Sequence, residues 1–112
     1  DPTMWICRDA DGQTHKVNVK AGMTATSGDF LCAAAIRGLG IAMQPTFIAG
    51  EAISRGELVA VLTNYEWPVS PAWAVYPPTR HLSYRVREFI DFLADYFAGT
   101  AYWDRDCGPD CT

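Results

Sequence analysis

The sequence predicts an α/β domain with a mostly parallel sheet, on three observations. Amphipathic helical stretches alternate with short apolar runs, a glycine closes each helix, and the connections are brief. No internal repeat or low-complexity stretch interrupts the pattern.

Trp5 to Arg8 reads as a strand, and Asp9-Ala10-Asp11-Gly12 as a turn whose glycine supplies a positive φ. Thr14 to Val19 alternates, with His15, Val17 and Val19 on one face, and is the hairpin partner. Met23 to Thr26 is a further strand candidate. Ser27 stands at an N-cap with Asp29 in the first turn, where a carboxylate suits the positive end of a helix dipole. The helix Gly28 to Arg37 then ends at Gly38.

Ile41 to Met43 is a short apolar strand stopped by Gln44-Pro45. Thr46 is placed to cap a second helix, Phe47 to Arg55, closed by Gly56. Leu58 to Leu62 reads as a buried strand, and residues 63–72 as an irregular connection rich in turn formers. Ala72 to Tyr76 is a strand ended by Pro77-Pro78, after which Ser83 caps the last helix. There Val86, Phe89, Ile90, Leu93 and Phe97 recur at helical spacing, and Gly99 ends the helix. Residues 100–112 have no periodicity and are expected to fray.

The length of 112 residues fits one domain. A content of 49% hydrophobic and 20% charged residues is globular, not disordered. The net charge is −4, and the nine Lys and Arg are scattered singly. Phosphate neutralisation needs base concentrated on one face, so direct DNA contact by this chain is not expected. No apolar run is long enough to span a bilayer and no signal peptide is visible, so no membrane role is expected. Of four cysteines, Cys7 falls in a strand and Cys32 in an alanine-rich helix. Free thiols there behave as small hydrophobes and suit a reducing cytoplasm.

Catalytic chemistry finds little support. His15 lies on a hairpin strand and His81 precedes a helix cap, neither beside a nucleophile in an elbow context. Asp9 and Asp11 are turn residues before they are a carboxylate pair, and Asp91 and Asp95 share the polar face of the last helix. Cys107-Gly108-Pro109-Asp110-Cys111 lacks the two-residue spacing of zinc knuckles or redox motifs. The glycine-rich stretch at 39–45 leaves a helix instead of opening one, so it is no dinucleotide fingerprint. The expectation is a protein that is not an enzyme, with no cofactor and no metal.

The run Gly28 to Pro45, GDFLCAAAIRGLGIAMQP, resembles the helix, glycine turn and strand of LysR-type effector domains. Gly56-Glu57-Leu58-Val59 with Leu62, and Ala74-Val75-Tyr76-Pro77 with Arg80-His81-Leu82-Ser83, follow in the family's order. Val86-Arg87-Glu88-Phe89-Ile90-Asp91-Phe92-Leu93 is similar to its terminal helix. The resemblance spans residues 5–98 and implies a periplasmic-binding-protein-like (type II) fold of two α/β subdomains holding a small effector between them. It further implies that residues 1–71 form most of the second subdomain, with a mixed or parallel sheet flanked by helices. Residues 72–99 would be the crossover strand and terminal helix of the first subdomain, and 100–112 a tail. A DNA-binding helix-turn-helix would then belong to a longer protein.

On that reading the effector site comprises Ser27, Gly28, Pro45, Thr46 and Phe47, beyond the carboxyl end of a strand and at two helix N-termini. The plainer account is that Ser27 and Thr46 are only caps. The apolar face of Val86, Phe89, Ile90, Leu93 and Phe97 is expected to mediate a homo-oligomer. A fragment of a periplasmic solute-binding protein and a stand-alone α/β interaction domain remain the alternatives.

Overall fold

Three helices and one hairpin carry the architecture of the computed structural model, which describes residues 3–78 and 81–105. The hairpin pairs β1 (Met4–Arg8) with β2 (Thr14–Asn18) antiparallel, from Met4 opposite Asn18 to Arg8 opposite Thr14. Asp9 closes it. Its carboxylate accepts from the N–H groups of Asp11 and Gln13 and meets His15 Nε2 at 2.6 Å, while Gly12 takes φ 79°. On the outer edge of β1, Arg8 and Glu66 exchange backbone hydrogen bonds of 2.9 and 2.8 Å. The same approach sets Trp67 edge-on to Trp5.

Local signals fix the helices. Ser27 Oγ accepts from the N–H of Phe30 and starts α1 (Gly28–Ile36). At its end Gly38 takes φ 78°, its N–H reaches Ala35 O, and Leu39 N–H reaches Ala34 O. That pair of bonds is the Schellman arrangement, which satisfies the last carbonyls of a helix. The helix α2 (Thr46–Ser54) ends the same way, with Gly56 N–H on Ile53 O and Glu57 N–H on Ala52 O. Ser83 Oγ accepts from Val86 N–H and starts α3 (Tyr84–Tyr96). Beyond it a 3-10 turn, η1 (Tyr102–Asp104), packs on α2.

Three expectations need correction. The mixed or parallel sheet does not form among the described residues, where the hairpin is the whole sheet. Met23–Thr26, Ile41–Met43, Leu58–Leu62 and Ala72–Tyr76 form no strand. The stretches at 41–43, 58–62 and 72–76 are apolar on both faces, as in strands covered from both sides, yet no strand pairs with them among the described residues. Val75 is 93% exposed in consequence. Second, Thr46 is the first residue of α2 and not its cap. Pro45 holds the cap position in an extended conformation, and its ring has no polar atom to accept a capping hydrogen bond. Third, η1 gives the segment after Gly99 regular structure where none was expected. Arg80 and the Cys107–Cys111 pair lie outside the described residues.

The core is small: Cys7, Cys32 and Ala49 are its buried hydrophobic residues. The accessible surface is 9384 Å², half as much again as the roughly 6,100 Å² of a compact protein of this mass. The radius of gyration is 17.4 Å, against about 13 Å for a compact domain of this length. Apolar side chains stay exposed along the unpaired extended segments and along α3, in which no residue is buried.

The Asp9 turn yields a pH prediction. The His15 side chain, followed by the N–H groups of Gln13 and Asp11, holds the Asp9 carboxyl below its ordinary value. A carboxylate whose value is lowered on folding contributes stability above its unfolded value and loses it as pH falls through the folded one. Hairpin melting followed by circular dichroism should therefore weaken as pH falls below about 4. Asp9→Asn keeps the turn acceptor and should abolish that acid-dependent loss, whereas Asp9→Ala should lower the melting temperature at every pH.

Candidate functional site

Two helix N-termini that are distant in sequence come together. Gly28 opens α1 so close to α2 that a Cβ added there would stand 2.5 Å from Ile48 Cδ1 and 2.6 Å from Gln44 Oε1. Glycine permits this approach because it has no side chain to exclude the neighbours. The first turn of α1 thus sits against Gln44 and the first turn of α2, so Ser27 and Gly28 meet the segment that leads into Pro45, Thr46 and Phe47.

The first N–H groups of a helix have no partner within it. In α1 the N–H of Phe30 is taken by Ser27 Oγ and that of Leu31 by Ser27 O, and in α2 Pro45 O receives Ile48 and Ala49. The N–H groups of Gly28, Asp29, Thr46 and Phe47 are left without partners among the described residues. Ser27 is therefore a cap, as the plainer reading has it, and Thr46 is not. Phe47 is 61% exposed, its ring edge-on to Trp103 with centroids 6.1 Å apart.

Beside this junction lies a cavity of about 740 Å³, lined by the hairpin's exit, one face of α1 and residues 39–44. Trp5, Leu31, Ile41 and Met43 give it apolar walls. Its polar side chains are Lys20, Thr24 and Gln44, and Lys20 is the sole charged group, with no ion pair among the described residues. The expected site residues border the cavity and do not line it. Gln44 does both, since it lines the cavity and touches Gly28. Sequence reasoning passed over Lys20, Thr24 and Gln44. Gln44 alone had a signal, its place immediately before the strand-ending Pro45.

Other chemistry is sparse. Cys7 and Cys32 are free and buried, and the Cys32 thiol is pushed up by burial and then by the nearby charge of Asp29. A raised thiol is less often the reactive thiolate. His15 is engaged by Asp9 and packs edge-on to Tyr65. Among the described residues no His, Cys, Asp and Glu group could hold a metal ion, and no helix is long and apolar enough to cross a membrane.

Comparison with known proteins identifies the family. Residues 3–98 match the LysR substrate binding domain. The chain belongs to that family. It is 33% identical over 95 residues to the HTH-type transcriptional regulator DmlR of Escherichia coli (strain K12), covering 85% of this chain and 30% of that protein. It is 31% identical over 98 residues to an HTH-type transcriptional repressor of Pseudomonas aeruginosa (strain UCBPP-PA14), covering 88% of this chain and 31% of the relative. With the HTH-type transcriptional regulator CrgA of Neisseria meningitidis serogroup C it shares 32% identity over 92 residues, 81% of this chain and 30% of the relative. The chain thus spans about a third of the length of the curated relatives it matches. No solved structure matches the chain. The matches fall on regulators, which favours a LysR-type substrate-binding domain over a solute-binding protein or an unrelated interaction domain.

Gly28 is the position where the junction is most sensitive to size. The atoms a methyl group would meet are the far ends of the Ile48 and Gln44 side chains, which can rotate aside. Gly28→Ala should therefore cost about 1 kcal/mol or less. The bulkier Gly28→Val should cost more, and adding Ile48→Val should recover part of that loss. Thermal unfolding of the three variants checks the order.

Proposed function

We propose that this chain is the effector-sensing part of a LysR-type transcriptional regulator and binds a small anionic metabolite where α1 and α2 begin. The observation that carries the proposal is the convergence of the two N-termini at Gly28, with four N–H groups lacking partners among the described residues and Lys20 as the charged side chain of the adjoining cavity, although Asp29 sets a carboxylate in the first turn of α1. Unpaired N–H groups and the positive dipole end favour a carboxylate or phosphate. Thr46 would add a hydroxyl donor, Phe47 an apolar wall, and Gln44 an amide between the junction and the cavity. Residues 1–71 act in this proposal as the second regulatory subdomain, and residues 72–99 as the strand and helix that dock on the first. Closure of the cleft would carry the signal to a DNA-binding domain elsewhere in the regulator.

The test is calorimetry with a panel of small mono- and dicarboxylates, in the longest soluble form of the regulator. For whichever acid binds, Thr46→Val and Phe47→Ala should each weaken affinity by about fivefold or more, a loss typical of one hydrogen bond or one wall contact. Lys20→Met should weaken it further at low salt than at high salt. Unchanged affinity in all three variants removes the site.

The face of α3 supports a second element of the proposal, self-association. Val86 and Phe89 are exposed, Ile90 and Leu93 half-buried, and Phe97 is turned toward Trp103 at 5.9 Å. Burying a large apolar side chain is worth roughly 1.5–3 kcal/mol, so a second copy would gain substantially by covering this stripe. Light scattering at micromolar concentration should give at least twice the 12.4 kDa chain mass. Phe89→Asp should return the mass to that of one chain, and a wild-type monomer would rule the interface out.

A further inference from the structure

The segment that follows α3 returns to α2. Gly99, at φ 84°, reverses the chain, and η1 seats Trp103 between two other rings. Its centroid lies 6.1 Å from that of Phe47 in α2 and 5.9 Å from that of Phe97 at the end of α3. Tyr102 closes the cluster at 4.8 Å. The family match ends at residue 98, so Trp103 belongs to sequence beyond the shared domain.

We propose that residues 99–105 are a built-in, displaceable cover of Phe47, with Trp103 against one edge of the ring that serves the effector site as a wall. This rests on the reading of Phe47 as an effector residue. Two features make the cover displaceable. Phe47 stays 61% exposed, so Trp103 touches its edge and does not bury it. The neighbouring Asp104 carries a carboxylate oxygen, Oδ1, that is shielded from solvent and has no hydrogen-bond partner among the described residues. An acceptor buried without a donor raises the free energy of the state that buries it. The covered state therefore combines a favourable ring contact with an unfavourable orphan, and a ligand that contacts Phe47 can tip the balance. The apparent dissociation constant would then be the intrinsic one divided by the fraction of chains uncovered.

Hydroxyl-radical footprinting read by mass spectrometry and benzoate binding read by calorimetry test this together, in the 112-residue chain. Trp103→Ala should raise oxidation of Phe47, by no more than about half again because the ring is already 61% exposed, while leaving that of Phe30 unchanged, and Trp103→Phe should restore protection. Benzoate, an aromatic carboxylate, should bind Trp103→Ala about three- to tenfold more tightly than the wild type, the range expected for losing one aromatic pair. Asp104→Ala removes the orphan, steadies the cover, and should weaken benzoate binding. The gain from Trp103→Ala should disappear when Phe47→Ala is also present. Unchanged oxidation of Phe47 overturns the cover whatever the effector site is. Increased oxidation with no tightening, or with no benzoate binding at all, overturns the gating. If the footprint responds as expected but benzoate is indifferent to Phe47→Ala, the effector reading fails and takes the gating with it, while the contact itself stands.

Discussion

The approach of α1 to α2 at Gly28 is the contact on which the candidate site depends. Two helices joined by nine residues can diverge or fold back, and here the Schellman turn at Gly38 and the rigid entry at Pro45 set both exits. The fold-back is closed where Ile48 and Gln44 reach the position a Cβ would occupy at Gly28. A methyl group there asks only that the ends of Ile48 and Gln44 turn aside, whereas a bulky side chain would part the two N-termini. Their unpaired N–H groups would then point into separate regions of solvent, and a single small anion could not meet both sets.

Helices and caps were legible in the sequence because their causes are local. Ser27 and Ser83 each bond an N–H three residues ahead, and Gly38 and Gly56 each take the left-handed conformation that ends a helix. The hairpin was legible for the same reason, its Asp9 turn being written in consecutive residues. The expected parallel sheet was not, because pairing is a property of two segments at once. Ile41–Met43 and Leu58–Leu62 have the composition of interior strands, but composition does not supply a neighbour. The one pairing beyond the hairpin, Arg8 with Glu66, joins residues that no local pattern connects. Leu62 illustrates the consequence: at φ 58° it turns the chain where a strand was expected to run on, and its carbonyl accepts from Tyr65 N–H and from Trp67 Nε1.

The candidate site divides along the same line. Ser27, Gly28, Pro45, Thr46 and Phe47 could be picked out because each marks a helix start, though the cap role assigned to Thr46 falls to Pro45. Lys20 and Thr24 could not. They sit in a non-periodic stretch after β2 and matter only because α1 and residues 39–44 face them across the cavity. Trp103 is a sharper case. It lies in a tail without periodicity, and only three-dimensional proximity relates it to Phe47.

Sensing requires that ligand favour one arrangement over another, since a molecule with equal affinity for both shifts nothing. This chain contains the ingredients of such a difference in close quarters. Among the described residues the N–H groups at the two N-termini have no partner, and the carboxylate oxygen of Asp104 lacks a donor. A ligand at the junction would satisfy the first, and departure of the tail would satisfy the second. The two events would relieve unmet hydrogen bonding in the same step, and Phe47 is the residue they share. Phe97 connects the same aromatic cluster to the end of α3. Release of Trp103 would therefore free Phe97 as well, and Phe97 belongs to the apolar face proposed for self-association. Occupancy of the site and availability of that face would then change together, through one aromatic contact and not through the sheet.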